Sequence, residues 1–189
     1  MAEVLLFHHV QGLTSGVTAF ADRLRAAGHT VHTPDLFGGG RTFPDIETGG
    51  AHLREVGFRE IGARAAREAE ALPQALVYAG MSMGVGGAQQ LAQTRPGARG
   101  ALLLHGCLPA AEFGGWPSGV PVQLHAMEED PFFVEDLEAA KELVAEANDG
   151  ELFLYPGEEH LFTDSSLPAY DEVATDLVLK RVRDFLADK

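Results

Sequence analysis

Three residues of this chain have the types and spacing for nucleophilic chemistry. Ser82 sits in Gly80-Met81-Ser82-Met83-Gly84, after the apolar run at residues 75–79 and before the helix-forming stretch at residues 85–92. A serine at the tip of a sharp strand-to-helix turn adopts a strained backbone, and side chains two positions away on either side would clash, so both of those positions are glycine. A serine hydroxyl attacks only when a base takes its proton, and that base needs an acid to orient it. His160, in the loop Pro156-Gly157-Glu158-Glu159-His160, is the candidate base. Asp130 is the candidate acid. It precedes Pro131, and the residue before a proline is held extended, which aims a short carboxylate inward. Glu128 and Glu129 form an acidic rim beside it, and either could substitute. An acyl-transfer intermediate also needs an oxyanion hole. The backbone N–H of Met83, next after the nucleophile, and that of Val10, in the loop after the first strand, are the candidate donors.

These residues can meet only if the intervening elements bring their loops to one edge. Continuous apolar or β-branched runs predict strands at residues 4–8, 29–33, 75–79, 100–105, 121–126 and 151–155. Helical periodicity predicts helices between them. The first is capped by Thr14 or Ser15 and ended by Gly28. The others cover residues 52–72, follow Ser82 to about residue 94, follow Pro131, and start near Pro168. In the 52–72 segment Phe58, Ile61, Ala65, Ala69 and Leu72 share a face; in the last helix Val173, Leu177, Val182 and Phe185 or Leu186 do. Alternating strands and helices imply an α/β fold, a mostly parallel six-stranded sheet with helices on both faces. The expected order is 2-1-3-4-5-6, within one domain spanning residues 1–189. The order reverses between the first and third strands, so a ligand crevice is expected there, with residues 9–12 against the Ser82 turn.

Composition narrows the partners. The 189 residues carry 28 Asp and Glu against 14 Lys and Arg, a formal charge of −14, which opposes nucleic acid and anionic membrane surfaces. One cysteine, Cys107, permits no internal disulfide. With no signal-peptide pattern and no membrane-spanning run, a cytoplasmic protein is expected. No cofactor motif survives inspection: residues 84–87 lack the glycine step of a dinucleotide fingerprint, and residues 38–41 lack the Lys-Ser/Thr of a phosphate loop. No metal site is expected, because His8 and His9 are strand neighbours that point to opposite faces with no further ligand at suitable spacing. His8 reads as a hydrogen-bonded sheet residue, and His105 and His125 fit either core or pocket wall. The expected pocket wall comprises His9, Gln11, Phe37, Cys107, Trp116 and Phe162.

The chain resembles the dienelactone hydrolase-like branch of the α/β-hydrolase superfamily over nearly its whole length. The resemblance rests on residues 4–12, Pro34-Asp35-Leu36, the Gly80–Gly84 turn with Gly86-Gly87, Glu129-Asp130-Pro131-Phe132, and Tyr155-Pro156-Gly157 through His160-Leu161-Phe162. It implies a minimal α/β-hydrolase fold without a large cap domain, a triad of Ser82, Asp130 and His160, and cofactor-free hydrolysis of esters or lactones. Two positions depart from the family. Its founding enzymes carry Cys where this chain has Ser82. They also place an Arg, which holds the substrate carboxylate, near the position of Asp164; a negative group there argues against anionic lactones.

The expected function is hydrolysis of a small carboxylic ester, thioester or lactone through an acyl-enzyme. Two alternatives stand beside it: acyl transfer on the same triad, and a hydrolase-like binding protein without turnover. Neither the natural substrate nor the oligomeric state is encoded in these patterns.

Overall fold

The computed structural model describes residues 1–189. Six strands, β1 (Glu3–Phe7), β2 (Thr30–His32), β3 (Val77–Met81), β4 (Gly100–Leu104), β5 (Val122–Met127) and β6 (Gly150–Tyr155), form one sheet in the order β2-β1-β3-β4-β5-β6. Every pairing is parallel. The register aligns the strand ends. Phe7 pairs with Gly80, and Met81 with Leu104, so the residues that follow, His8, Ser82 and His105, emerge along one edge.

The inner strands β1, β3, β4 and β5 are buried at almost every position because both sheet faces are covered there. Alternation then divides their side chains between two cores. Leu5, Phe7, Tyr78, Leu103 and Leu124 pack on one face with α2 (Ile46–Val56), α3 (Phe58–Glu70), α4 (Met83–Thr94) and α5 (Phe133–Glu146). Val4, Leu6, Val77, Ala79, Leu102 and Leu104 pack on the other with α1 (Ser15–Ala26) and α6 (Glu172–Leu186). Thr14 caps α1, its hydroxyl accepting the Val17 N–H at 3.2 Å, and Val17, Phe20, Ala21 and Leu24 are buried one turn apart.

Two helices differ from the sequence expectation. The segment 52–72 is not one helix. Its first part starts at Ile46, inside the expected loop, where Asp45 caps it by accepting the Thr48 N–H at 2.7 Å. It then breaks at Gly57, whose φ of +88° no helix contains. Gly49-Gly50 reads as loop, yet Gly49 is needed within α2 because a Cβ there would press into the Val10 carbonyl. Phe58, expected in the core, heads α3 and is 70% exposed. The last helix starts at Glu172 rather than near Pro168, capped by Asp171, and its inner face is Ala174, Val178, Val182 and Leu186, leaving Val173 and Leu177 outside.

Candidate active site

The turn from β3 into α4 holds Ser82 at φ +48°, ψ −112°, a conformation rare outside glycine. The surrounding packing enforces it. A Cβ at Gly80 would lie 2.6 Å from the Val85 nitrogen, and one at Gly84 would lie 2.5 Å from the Phe7 carbonyl oxygen. The Ser82 N–H donates to Leu104 at 2.7 Å, pinning the turn to β4. The other non-glycine residues with positive φ, His105 and Leu161, directly follow β4 and His160, so all the backbone strain of this kind gathers at one place.

Ser82, His160 and Asp130 are in contact. The Ser82 hydroxyl lies 2.9 Å from His160 Nε2, and His160 Nδ1 lies 2.6 Å from Asp130 Oδ2. With Nδ1–H donating to the carboxylate, Nε2 is left to accept from the serine. Asp130 is fully buried. Its other oxygen accepts the Phe132 N–H at 2.9 Å and the Phe133 N–H at 3.4 Å, which fixes the carboxylate before His160 meets it. The rings of Phe132 and His105 pack on His160 with centroids at 4.6 and 5.8 Å. Glu128 and Glu129 point outward and are exposed, so neither stands in for Asp130.

Ser82 opens into a cavity of about 470 Å³ walled by Leu53, Phe58, Val85, Cys107, Leu108 and Phe132, with Arg54 and Asp136 as its charged side chains away from His160. Val10 and Met83 both line it. The Val10 N–H donates to no protein acceptor, and Met83 heads α4, where an N–H falls outside the helical ladder. A second concavity of about 620 Å³ shares Ile46, Phe132 and His160 with the first and adds Gln11, Asp45, Glu47, Glu158 and Glu159.

Of the expected wall, Cys107 is in the Ser82 cavity and Gln11 in its neighbour. His9, Phe37, Trp116 and Phe162 line neither. Phe37 packs in the core against His8 and His52. Trp116 is buried with its indole N–H donating to Val120 at 2.7 Å, and Phe162 lies behind His105 at 4.8 Å. His9 is fully buried. Its Nδ1 accepts the Gln11 N–H at 3.2 Å, and its Nε2 lies 2.7 Å from Asp164 Oδ2. Asp164 also accepts from the Thr14 hydroxyl and, at 2.8 Å, from the Ser166 N–H. Burial would raise this carboxyl, but the bonds from His9, Ser166 and Thr14 outweigh it and hold it down to about 2. Asp164 therefore does not face a substrate, and its charge gives no ground for rejecting anionic lactones.

The undecided histidines separate. His125 is core: Nδ1 meets the Tyr155 hydroxyl at 2.8 Å, Nε2 meets Gln123, and burial, with the Arg181 charge adding, pushes it down to about 3. His105 walls the cavity and bonds Thr163 at 2.8 Å, while its Nδ1 has no partner; burial, reinforced by the neighbouring histidines, holds it well below the ordinary range. His8 accepts the Leu36 N–H at 3.0 Å and is pushed down to about 4, mainly by burial. Arg54, Phe58 and Asp136 are wall residues that sequence reasoning missed. Asp136 had a signal, since the first turn of the helix after the acid loop must face the same edge. Arg54 and Phe58 had none once the break at Gly57 went unseen.

Known proteins carry the same architecture. A dienelactone hydrolase-like promiscuous phosphotriesterase from metagenomic libraries superimposes with a TM-score of 0.77 at 19% identity, covering 100% of this chain and 86% of that one. The RedJ thioesterase of prodiginine biosynthesis in Streptomyces coelicolor gives 0.68 at 16% identity, covering 98% and 86%. Esterase 2 of Thermogutta terrifontis gives 0.68 at 17% identity, covering 99% and 82%. At such identities the likeness is one of fold. Among curated proteins no sequence matches this chain. The profile of the dienelactone hydrolase family, in contrast, matches residues 1–189 without remainder. A six-stranded parallel sheet, a strand–turn–helix serine and a whole-chain family match together place the chain among the α/β hydrolases: it belongs to the dienelactone hydrolase family.

Proposed function

We propose that the whole chain acts as one α/β-hydrolase domain, a serine hydrolase of carboxylic esters, thioesters or lactones that works through an acyl-enzyme on Ser82. The observation that carries the proposal is the unbroken chain of bonds from Ser82 through His160 to buried Asp130, opening into the cavity. His160 Nε2 takes the hydroxyl proton as Ser82 Oγ attacks the acyl carbon. Asp130 stabilises the imidazolium that forms. The N–H groups of Val10 and Met83 receive the oxyanion. Collapse breaks the bond to the leaving oxygen or sulfur, which takes the proton from His160. Water then gives its proton to His160 and attacks the acyl-enzyme; the acid departs, and Ser82 regains its proton. The mostly apolar cavity suits small acyl or alkoxy groups, and its size is in the range of small-ligand pockets.

The test combines labelling and turnover. A fluorophosphonate probe is expected to modify the folded protein at one site, with loss of labelling in Ser82→Ala. Short p-nitrophenyl esters should be hydrolysed, and Ser82→Ala or His160→Ala should lower kcat by about 10³-fold or more. Folded wild-type protein that neither labels nor turns over such esters would sink the proposal.

A further inference from the structure

Asp136 is the acidic side chain of the Ser82 cavity that the proposed mechanism does not use. It projects from the first turn of α5, half-buried, and lines the wall with Gly106, Cys107 and Phe132. One oxygen accepts the Cys107 N–H at 3.1 Å; the other has no protein partner, and no Lys or Arg pairs with the carboxylate. It is close to the reacting centre, because a Cβ built on Gly106 would lie 3.7 Å from both Asp136 Oδ2 and Ser82 Cα. Arg54, the cavity's cation, stands on a different element, α2, and forms no ion pair with it. Burial raises the Asp136 carboxyl from its ordinary value, the direction expected of a partly desolvated charge without a counterion.

Aromatic rings and further carboxylates lie around Asp136. The half-exposed ring of Phe132 and the exposed ring of Phe58 line the same cavity, and aromatic faces attract cations. The adjoining concavity carries Asp45, Glu47, Glu158 and Glu159 with no Lys or Arg. Resting on the hydrolase proposal above, we propose that Asp136 determines specificity by holding a cationic nitrogen of the substrate, so that the enzyme acts on esters or thioesters bearing an ammonium group. Bound there, the nitrogen meets the free carboxylate oxygen while the Cys107 N–H keeps the other in place.

Isosteric ester pairs test this. Acetylcholine is compared with 3,3-dimethylbutyl acetate, which places the charge in the alcohol. The ethyl esters of 4-(trimethylammonio)butanoic and 5,5-dimethylhexanoic acids place it in the acyl group. In the wild type, kcat/KM for the cationic member of at least one pair should exceed its neutral twin by about tenfold. In Asp136→Asn, which retains an acceptor for the Cys107 N–H, that ratio should fall towards one. Global attraction by a net charge of −14 changes little with one charge removed, so a ratio that survives in Asp136→Asn overturns the proposal. So does a wild type with no cationic preference. Failure of hydrolysis itself looks different, as no turnover of either member of any pair. Calorimetric titration with phenyltrimethylammonium decides the cation site independently of turnover: saturable binding, weakened at least about fivefold in Asp136→Asn, supports it, and no binding or equal binding overturns it.

Discussion

Ser82 and Cys107 face the same cavity, but their surroundings prepare them for opposite behaviour. Cys107 is buried with an acid nearby, and burial foremost, then the Asp136 charge, pushes its thiol up to about 12. It should resist iodoacetamide at pH 8 in the folded protein and react only in denaturant; fast labelling of the native form would contradict this. Ser82 instead touches His160, whose Nδ1 faces the Asp130 carboxylate. Asp130→Asn should keep the bonds from Phe132 and Phe133, and so the melting temperature, yet lower kcat by up to about 10⁴-fold, because an amide N–H facing His160 Nδ1 forces the proton onto Nε2. That Ser82, Asp130 and His160 meet was legible because each stands at a fixed place: a glycine-framed turn, an Asp-Pro, a histidine after the last strand. The pocket wall was legible only in part. Phe37 and Trp116 are aromatic residues in loops beside the expected crevice, and nothing in a sequence separates a ring that faces a cavity from one that turns into the core.

At the scale of elements, the α2–α3 corner decides the shape of the cavity. Leu53 and Phe58 lie on either side of Gly57 and both line the Ser82 cavity. Gly57→Ala would impose a side chain on a φ of +88° and should cost about 1 kcal/mol or more. The expected result is a melting temperature lower by roughly 2–4 °C. KM for neutral esters should rise more than kcat falls, since the triad is carried by other elements; a thermal melt and a Michaelis analysis check both. This corner was hidden in the sequence for a definite reason. Phe58, Ile61, Ala65, Ala69 and Leu72 recur at helical spacing straight after Gly57, and a single glycine in a segment of that pattern costs too little to announce a break. The strands were plain because parallel strands buried on both faces leave continuous apolar runs.

For the molecule as a whole, buried histidines govern the response to acid. His8 is held to about 4 and His125 to about 3, in both mainly by burial, and His105 well below the ordinary range, whereas all three titrate near 6.5 when unfolded. Below about pH 6.5 the unfolded chain therefore takes up protons that the native state refuses, so stability should decline from there towards pH 4 and further towards 3. The contribution of Asp164 is fully present above the unfolded carboxylate range, near 3.9, and is lost only as pH falls towards about 2. Urea midpoints measured between pH 8 and 4 test this; a flat series from 6.5 to 4 would contradict it. The bond from His9 to Asp164 spans 155 positions of sequence, and that of Ser82 to His160 spans 78. Synthesis on the ribosome thus completes the strand and turn of Ser82 long before His160 exists. The loop bearing Val10 is locked only when the segment around residue 164 docks. A nascent chain halted short of His160 carries a finished Ser82 turn with no imidazole against it, so on the proposed mechanism reactivity arrives late, with the closing of the longest loops, which are also the slowest contacts to form.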